Sequence, residues 1–80
     1  MKLKFYDNNK GKLIVEQDKD NGEELIKALT KGKEVNLLYL DNNDLKSIKG
    51  IYSHYTRTIR EEDCEDTICL YLDNVSTIDN

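Results

Sequence analysis

The sequence contains no proline and no tryptophan, a single histidine and only two cysteines. These shortages narrow what the chain can do. One histidine and two cysteines fall short of the four ligands that a structural metal site gathers at suitable spacing. No apolar run approaches the roughly 20 residues that cross a bilayer as a helix. Met1-Lys2-Leu3-Lys4-Phe5 enters polar/apolar alternation at once, so it does not read as a secretory signal. A cytoplasmic protein without a membrane partner is expected. The last shortage is regional: after Arg60 the chain has neither lysine nor arginine.

That region, Glu61 to Asn80, carries seven carboxylates, whereas the first sixty residues hold all twelve bases against nine acids. The formal charge of −4 therefore divides into about +3 before Glu61 and −7 after it. Such a division lets a small protein show different partners different faces. The chain has 80 residues, enough for one domain that buries only about 60% of its unfolded surface. Ten leucines, seven isoleucines and three valines supply an aliphatic core, with little to spare for an enclosed substrate pocket. Charged residues make up 35% of the chain, yet the apolar ones recur in short clusters, as folded proteins require. Ten lysines to two arginines, with eight asparagines, suggest an AT-rich coding sequence of the kind found in Gram-positive bacteria and their phages.

Local patterns predict an α+β domain spanning 1–80: an N-terminal β-hairpin, one short helix, then three or four antiparallel strands. Lys2 to Tyr6 alternates, and Asp7-Asn8-Asn9-Lys10-Gly11 supplies a turn before an apolar stretch from Leu13 to Glu16. Asp20 with Glu23, or Asn21 with Glu24, has capping-box spacing, and Leu25, Ala28 and Leu29 then share a helix face. Gly32 is placed to end that helix as its C′ residue. About ten residues of helix cannot stand alone, so the helix must lie on a sheet. Val35 to Leu40 is apolar on both faces, which suits a central strand or one covered by the helix. Asp41-Asn42-Asn43-Asp44 turns the chain. Leu45 to Ile59 is long for one strand; Gly50 lets it bend or bulge, and Ser53 to Arg57 offers a break. Glu61 to Asp66 is too densely charged for a paired strand and reads as a loop. Thr67 to Leu72 alternates again, Asp73-Asn74 turns, and Val75 to Ile78 offers a short edge strand. The sheet is expected to curl toward a barrel.

Few residues suggest chemistry. Cys64 and Cys69 are five apart, so on an extended chain they point to opposite faces, and the cytosol opposes a disulfide. Ser53, His54 and Asp63 are the types of a hydrolase triad, but neighbours on a regular strand face opposite ways and Ser53 could not reach His54. No enzyme and no cofactor is expected. Tyr52 and Tyr55 with Arg57 and Arg60 combine stacking surfaces and positive charge. That mixture holds single-stranded nucleic acid, but the acids that follow would repel phosphate. Tyrosine and arginine also dominate protein–protein hot spots. The acidic run Glu61, Glu62, Asp63, Glu65 and Asp66 reads in two ways. It is a solvated loop that keeps the protein soluble, or a carboxylate row that docks on a basic surface in place of successive phosphates. It lacks the alternating ligands and turn glycine of a calcium loop. Its candidate partner is a host protein with a basic surface, such as a nucleic-acid-binding enzyme, met by the five acids together with Tyr52, Tyr55 and Arg57.

From Leu25 onward the layout resembles the YolD-like proteins and, more broadly, Sm-like small barrels. The residues that carry this are Leu25-Ile26-Lys27-Ala28-Leu29, Glu34-Val35-Asn36-Leu37-Leu38-Tyr39, Ile48-Lys49-Gly50-Ile51, and Ile68-Cys69-Leu70-Tyr71-Leu72-Asp73-Asn74-Val75-Ser76-Thr77-Ile78. The resemblance implies a curled β-sheet and an adaptor or weak nucleic-acid-binding role. In its general profile, small, acidic and single-domain, the chain is similar to phage-encoded inhibitors such as anti-CRISPR proteins and other DNA mimics. That likeness implies a protein target and no cofactor.

Overall fold

The computed structural model describes residues 1–62 and 65–78. The predicted hairpin forms as β1 (Lys2–Asp7) and β2 (Lys12–Asp18), followed by α1 (Gly22–Ala28), β3 (Glu34–Asp41), β4 (Asp44–Arg60) and β5 (Glu65–Thr77). The order β-β-α-β-β-β agrees with the sequence pattern. The pairing does not follow chain order: one sheet runs β2-β1-β5-β4-β3 and curls into a half-barrel. Its last strand lies at the centre, where β5 pairs antiparallel with β4 and parallel with β1. The three strands after the helix are antiparallel to one another, as expected, and the parallel β1–β5 pair makes the sheet as a whole mixed. Helix α1 carries the chain from the β2 edge to the β3 edge, and this crossover lets the first and last strands become neighbours.

Positive φ is found where asparagine and glycine tolerate it. Gly11 (φ 66°) closes the first hairpin, and Asn42 and Asn43 (φ 51° and 69°) form a primed two-residue turn between β3 and β4. The Asp7 carboxylate accepts backbone N–H bonds from Asn9 (3.1 Å) and Lys10 (3.2 Å), and Asn9 in turn accepts the N–H of Asn74 (2.8 Å). The first turn is thereby stitched to β5, which continues past Asp73-Asn74 without ending. Asn74 sits at φ 53° beside a register shift, so the expected turn is a bulge, and Val75 to Thr77 belongs to β5 rather than to a separate edge strand.

The core lies on one face of the sheet. Leu3 and Phe5 of β1, Ile48 and Tyr52 of β4, and Ile68, Leu70 and Leu72 of β5 are buried there, with Leu25, Ile26 and Leu29 packed over them. The helix is shorter than expected. It ends at Ala28, which is exposed; Asn21 makes no side-chain cap bond, and Gly32 (φ 85°) serves a separate turn beyond the helix end. Beyond that turn, the Gly32 N–H donates to the Tyr52 carbonyl and the Tyr52 N–H to that of Lys33, both at 2.9 Å.

Two irregularities shape β4. Opposite Gly50 the register with β5 shifts, as the glycine foretold, and a second shift falls at Ser53, between Tyr52 and His54. The strand is not broken there. Strand β3 is the larger correction. It lies at the sheet edge, with Val35, Leu37 and Tyr39 against the core while Leu38 and Leu40 face outward. Sequence alternation could not tell an apolar face that is covered from one that is not.

Candidate functional site

The residues singled out in the sequence converge on the hairpin arm formed by the second half of β4 and the start of β5. Strand β3 reaches only as far as Ile51, so among the described residues no strand pairs with the outer side of His54 to Ile59. His54 to Arg60 are all exposed. The bulge at Ser53 brings the two tyrosines onto one sheet face, at different depths. Tyr52, opposite Leu72, is 6% exposed, and burial pushes its hydroxyl pKa up; Tyr55, opposite Leu70 beyond the bulge, is 46% exposed. Tyr52 is therefore a core residue and leaves the expected binding set, while Tyr55 stays at the surface. Ile59, two alternations further on the same face, is 62% exposed.

The acidic run is also divided. Glu65 and Asp66 lie in β5, paired with Arg60 and Ile59 of β4, which corrects their reading as loop residues. Their charges are neutralised inside the molecule. Lys2 Nζ lies 2.7 Å from Glu65, and Arg60 approaches the same carboxylate at 3.9 Å. Arg57 donates from Nε (3.0 Å) and from Nη2 to the two oxygens of Asp66, while Nη2 also donates to Glu23 of α1 at 2.8 Å. The hydrogen bond from Lys2 holds the Glu65 carboxyl below its ordinary range, and that from Arg57 does the same for Asp66. Reciprocally, Lys2 and Arg57 hold their protons more tightly than usual. Arg57, offered as a contact residue, is thus the clasp between the arm and the helix. Glu61 and Glu62 stand exposed at the tip. Asp63 and Cys64 lie outside the described residues; Cys69 is half-buried in β5 with a free thiol.

The opposite face of the sheet carries a feature that sequence reasoning missed. Tyr6, Tyr71 and His54 occupy matched positions on β1, β5 and β4, and their rings stack in a row. Centroids are 5.4 Å apart for Tyr6–Tyr71 and 4.5 Å for His54–Tyr71, with planes within 19° and 11°. Only Tyr71's place opposite in phase to Leu70 and Leu72 hinted at it, because the row depends on strand order. The bulge has one more effect here. Ser53 Oγ lies 2.9 Å from His54 Nδ1, a contact that regular alternation had excluded. The distortion at Ser53 turns the two neighbouring side chains toward one side.

No family model matches this chain, and no curated protein or solved structure matches it either. Among the described residues, no helix is long and apolar enough to cross a membrane.

Proposed function

We propose that this chain is a non-enzymatic protein-interaction module. It acts as an inhibitor from a phage or mobile element, engaging the basic surface of a host nucleic-acid-handling protein. The observation that carries the reading is the arm itself. It presents Tyr55 and Ile59 on one face, a strand edge from His54 to Ile59 that no other strand among the described residues covers, and Glu61 and Glu62 at its tip. A backbone edge gives a partner main-chain hydrogen bonds, exposed aromatic and aliphatic side chains give it buried area, and tip carboxylates steer it electrostatically. From the expected contact set this reading keeps Tyr55, Glu61 and Glu62 and adds Ile59, with Arg57, Glu65 and Asp66 holding the arm in shape; Asp63 lies outside the described residues.

The test is capture of a nucleic-acid-binding protein from host lysate, followed by competition with DNA for that protein. The Glu61→Lys/Glu62→Lys variant should lose capture while keeping its circular dichroism spectrum. Capture that is unchanged by the reversal, or indifferent to competing DNA, refutes the reading. A second reading, the YolD-like or Sm-like nucleic-acid module, draws support from the half-barrel and from the Tyr6–Tyr71–His54 row. Stacked aromatics on neighbouring strands are a surface to which bases can add. A gel shift of single-stranded DNA or RNA at low salt, lost with His54→Ala/Tyr6→Ala, is its expected signature.

A further inference from the structure

We infer that the arm takes its partner as a guest strand: an extended protein segment that pairs antiparallel with the β4 edge from His54 to Ile59. The inference rests on the reading of the arm as the contact surface, and adds the backbone form and side-chain pattern of what binds there. The ladder on this side of β4 stops short. Strand β3 pairs up to Ile51, and Tyr52 then uses its carbonyl and its N–H on Gly32 and Lys33. From Gly32 back to α1 the chain leaves the sheet, and among the described residues no strand continues the β3 line beside His54 to Ile59. Every second residue of that stretch turns its N–H and C=O away from β5, in the plane of the sheet. An extended backbone is what matches such a row, as in strand addition. Edges that must stay free are guarded by proline or by free charge. This one has no proline, and its one charged side chain, Arg57, is already bound to Asp66 and Glu23.

The side chains along the edge define what the guest carries. Tyr55, Arg57 and Ile59 face the helix side of the sheet, and His54, Thr56 and Thr58 face the other. On the helix side a groove of about 200 Å³ lies between α1 and the arm, lined by Ile26 and Tyr55 with Glu23, Lys27 and Arg57 around them. A guest residue opposite Tyr55 points toward this groove, where Ile26 and the tyrosine ring suit an aliphatic side chain. A second aliphatic residue, four positions earlier in the guest, meets Ile59, which is 62% exposed. The guest residue between them, opposite the already paired Arg57, is small and uncharged. On the other face Thr56 and Thr58 favour threonine, through cross-strand hydroxyl bonds. Antiparallel pairing is the more stable ladder and continues the direction of β3. It brings the N-terminal end of the guest to the tip, where Glu61 and Glu62 complement lysine or arginine. The guest is therefore a basic residue pair followed by an alternating aliphatic and threonine-rich strand.

The probe is the capped peptide Lys-Lys-Val-Thr-Ser-Thr-Leu-Thr, titrated into the full chain and followed by amide NMR shifts. It should bind with a Kd below about 1 mM, with the shifts centred on His54 to Ile59 and α1. Two further versions carry N-methyl groups on alternate residues, one set each. Only one set faces β4, so one version should lose binding at least about tenfold and the other should keep it. Alanine in place of the peptide's leucine should cost about tenfold as well. Glu61→Lys/Glu62→Lys, whose sites are exposed so that its circular dichroism should be unchanged, should reject this peptide and accept one that begins Glu-Glu. No binding at about 1 mM, equal loss with both N-methylated versions, or no rescue by the charge swap overturns the inference. A concentration-dependent dimer that the peptide dissolves would assign the edge to a second copy and overturn it too. Lysate capture that depends on Glu61 and Glu62 while the peptide fails removes strand addition alone; capture indifferent to their reversal removes the underlying reading.

Discussion

Gly50→Ala should destabilise the domain by about 1–2 kcal/mol, even though the backbone conformation there is one that alanine can adopt. Gly50 is not among the positive-φ glycines, so conformation alone predicts a gain from alanine of roughly 0.4–1 kcal/mol, because the unfolded chain loses freedom. The packing argument runs the other way. A Cβ at position 50 would stand 3.1 Å from Leu72 Cβ, 3.2 Å from the Asp73 carbonyl oxygen and 3.3 Å from Val75 Cγ2, all inside ordinary van der Waals contact. Two of those atoms belong to, or are fixed on, the β5 backbone and cannot rotate away. Overpacking of this kind costs about 1–3 kcal/mol, which outweighs the entropic gain. For a domain of this size the net effect lowers the melting temperature by about 5–15 °C. Thermal unfolding followed by circular dichroism measures it, and urea unfolding gives the free energy directly. Val75→Ala adds an internal check through a double-mutant cycle. It removes one of the three clashing atoms, so it should cost less in the Gly50→Ala background than in the wild type. A melting temperature equal to or above the wild type, with no coupling to Val75, would refute the claim that close approach of β5 selects glycine here.

Three further outcomes follow from the same geometry. Leu70→Ala removes a fully buried side chain from the central strand and should cost about 2–5 kcal/mol in urea unfolding, near the limit of what so small a domain survives. Asp7→Ala deletes the acceptor of two turn N–H bonds and should cost about 1–2 kcal/mol, with Asp7→Asn recovering much of it, since its side-chain oxygen can accept the same bonds. Glu65 and Asp66 have folded-state pKa values below their ordinary 4.5 and 3.8, so the folded protein holds these protons less tightly than the unfolded chain does. Their contribution is complete above the unfolded values and lost as pH falls through the folded ones; denaturation midpoints should decline below about pH 5, and Lys2→Met with Arg57→Gln should flatten that decline.

Much of the local structure was legible in the sequence because it rests on neighbours in the chain. The Asn42-Asn43 turn, the turn at Gly11, the kink at Gly50 and the inward phase of Ile68, Leu70 and Leu72 all follow from residue type at short range. Strand order was not legible, because the parallel pairing of β1 with β5 joins the two ends of the chain and leaves no short-range mark. The same limit misplaced β3. Two apolar faces were read as a central strand or one covered by the helix; β3 lies at the sheet edge, and Leu38 and Leu40 on one of those faces are exposed. In the candidate site the decisive unread event was the bulge at Ser53. A shift of one position decides which side of the sheet every later β4 residue occupies. It brought Tyr55 onto the same face as Tyr52, opposite Leu70, and placed His54 beside Tyr71 on the other. The length and richness of β4 in β-branched and aromatic residues announced a strand; nothing local announced its phase.

The charge division along the chain shows the same dependence on long-range pairing. In sequence, acids after Glu61 are separated from the bases before it, and five carboxylates in six residues looked like a single negative surface. Hairpin geometry folds that surface back on its source, because the strand that follows the acids lies beside the strand that supplies the arginines. Arg60 meets Glu65 across the ladder, Arg57 reaches Asp66 two positions along, and Lys2 arrives from the parallel neighbour β1. Exposed ion pairs of this sort add little stability one by one. Their consequence is spatial: they neutralise the base of the arm while the carboxylates of Glu61 and Glu62 remain at its end. A partner approaching the arm thus meets negative charge first at the tip and apolar side chains behind it. A DNA-mimicking row would instead offer evenly spaced charge along its length. Any inhibitor role must therefore rest on a short acidic point backed by Tyr55 and Ile59, and its salt dependence should be weaker than five exposed carboxylates would give, because Glu65 and Asp66 are paired within the molecule.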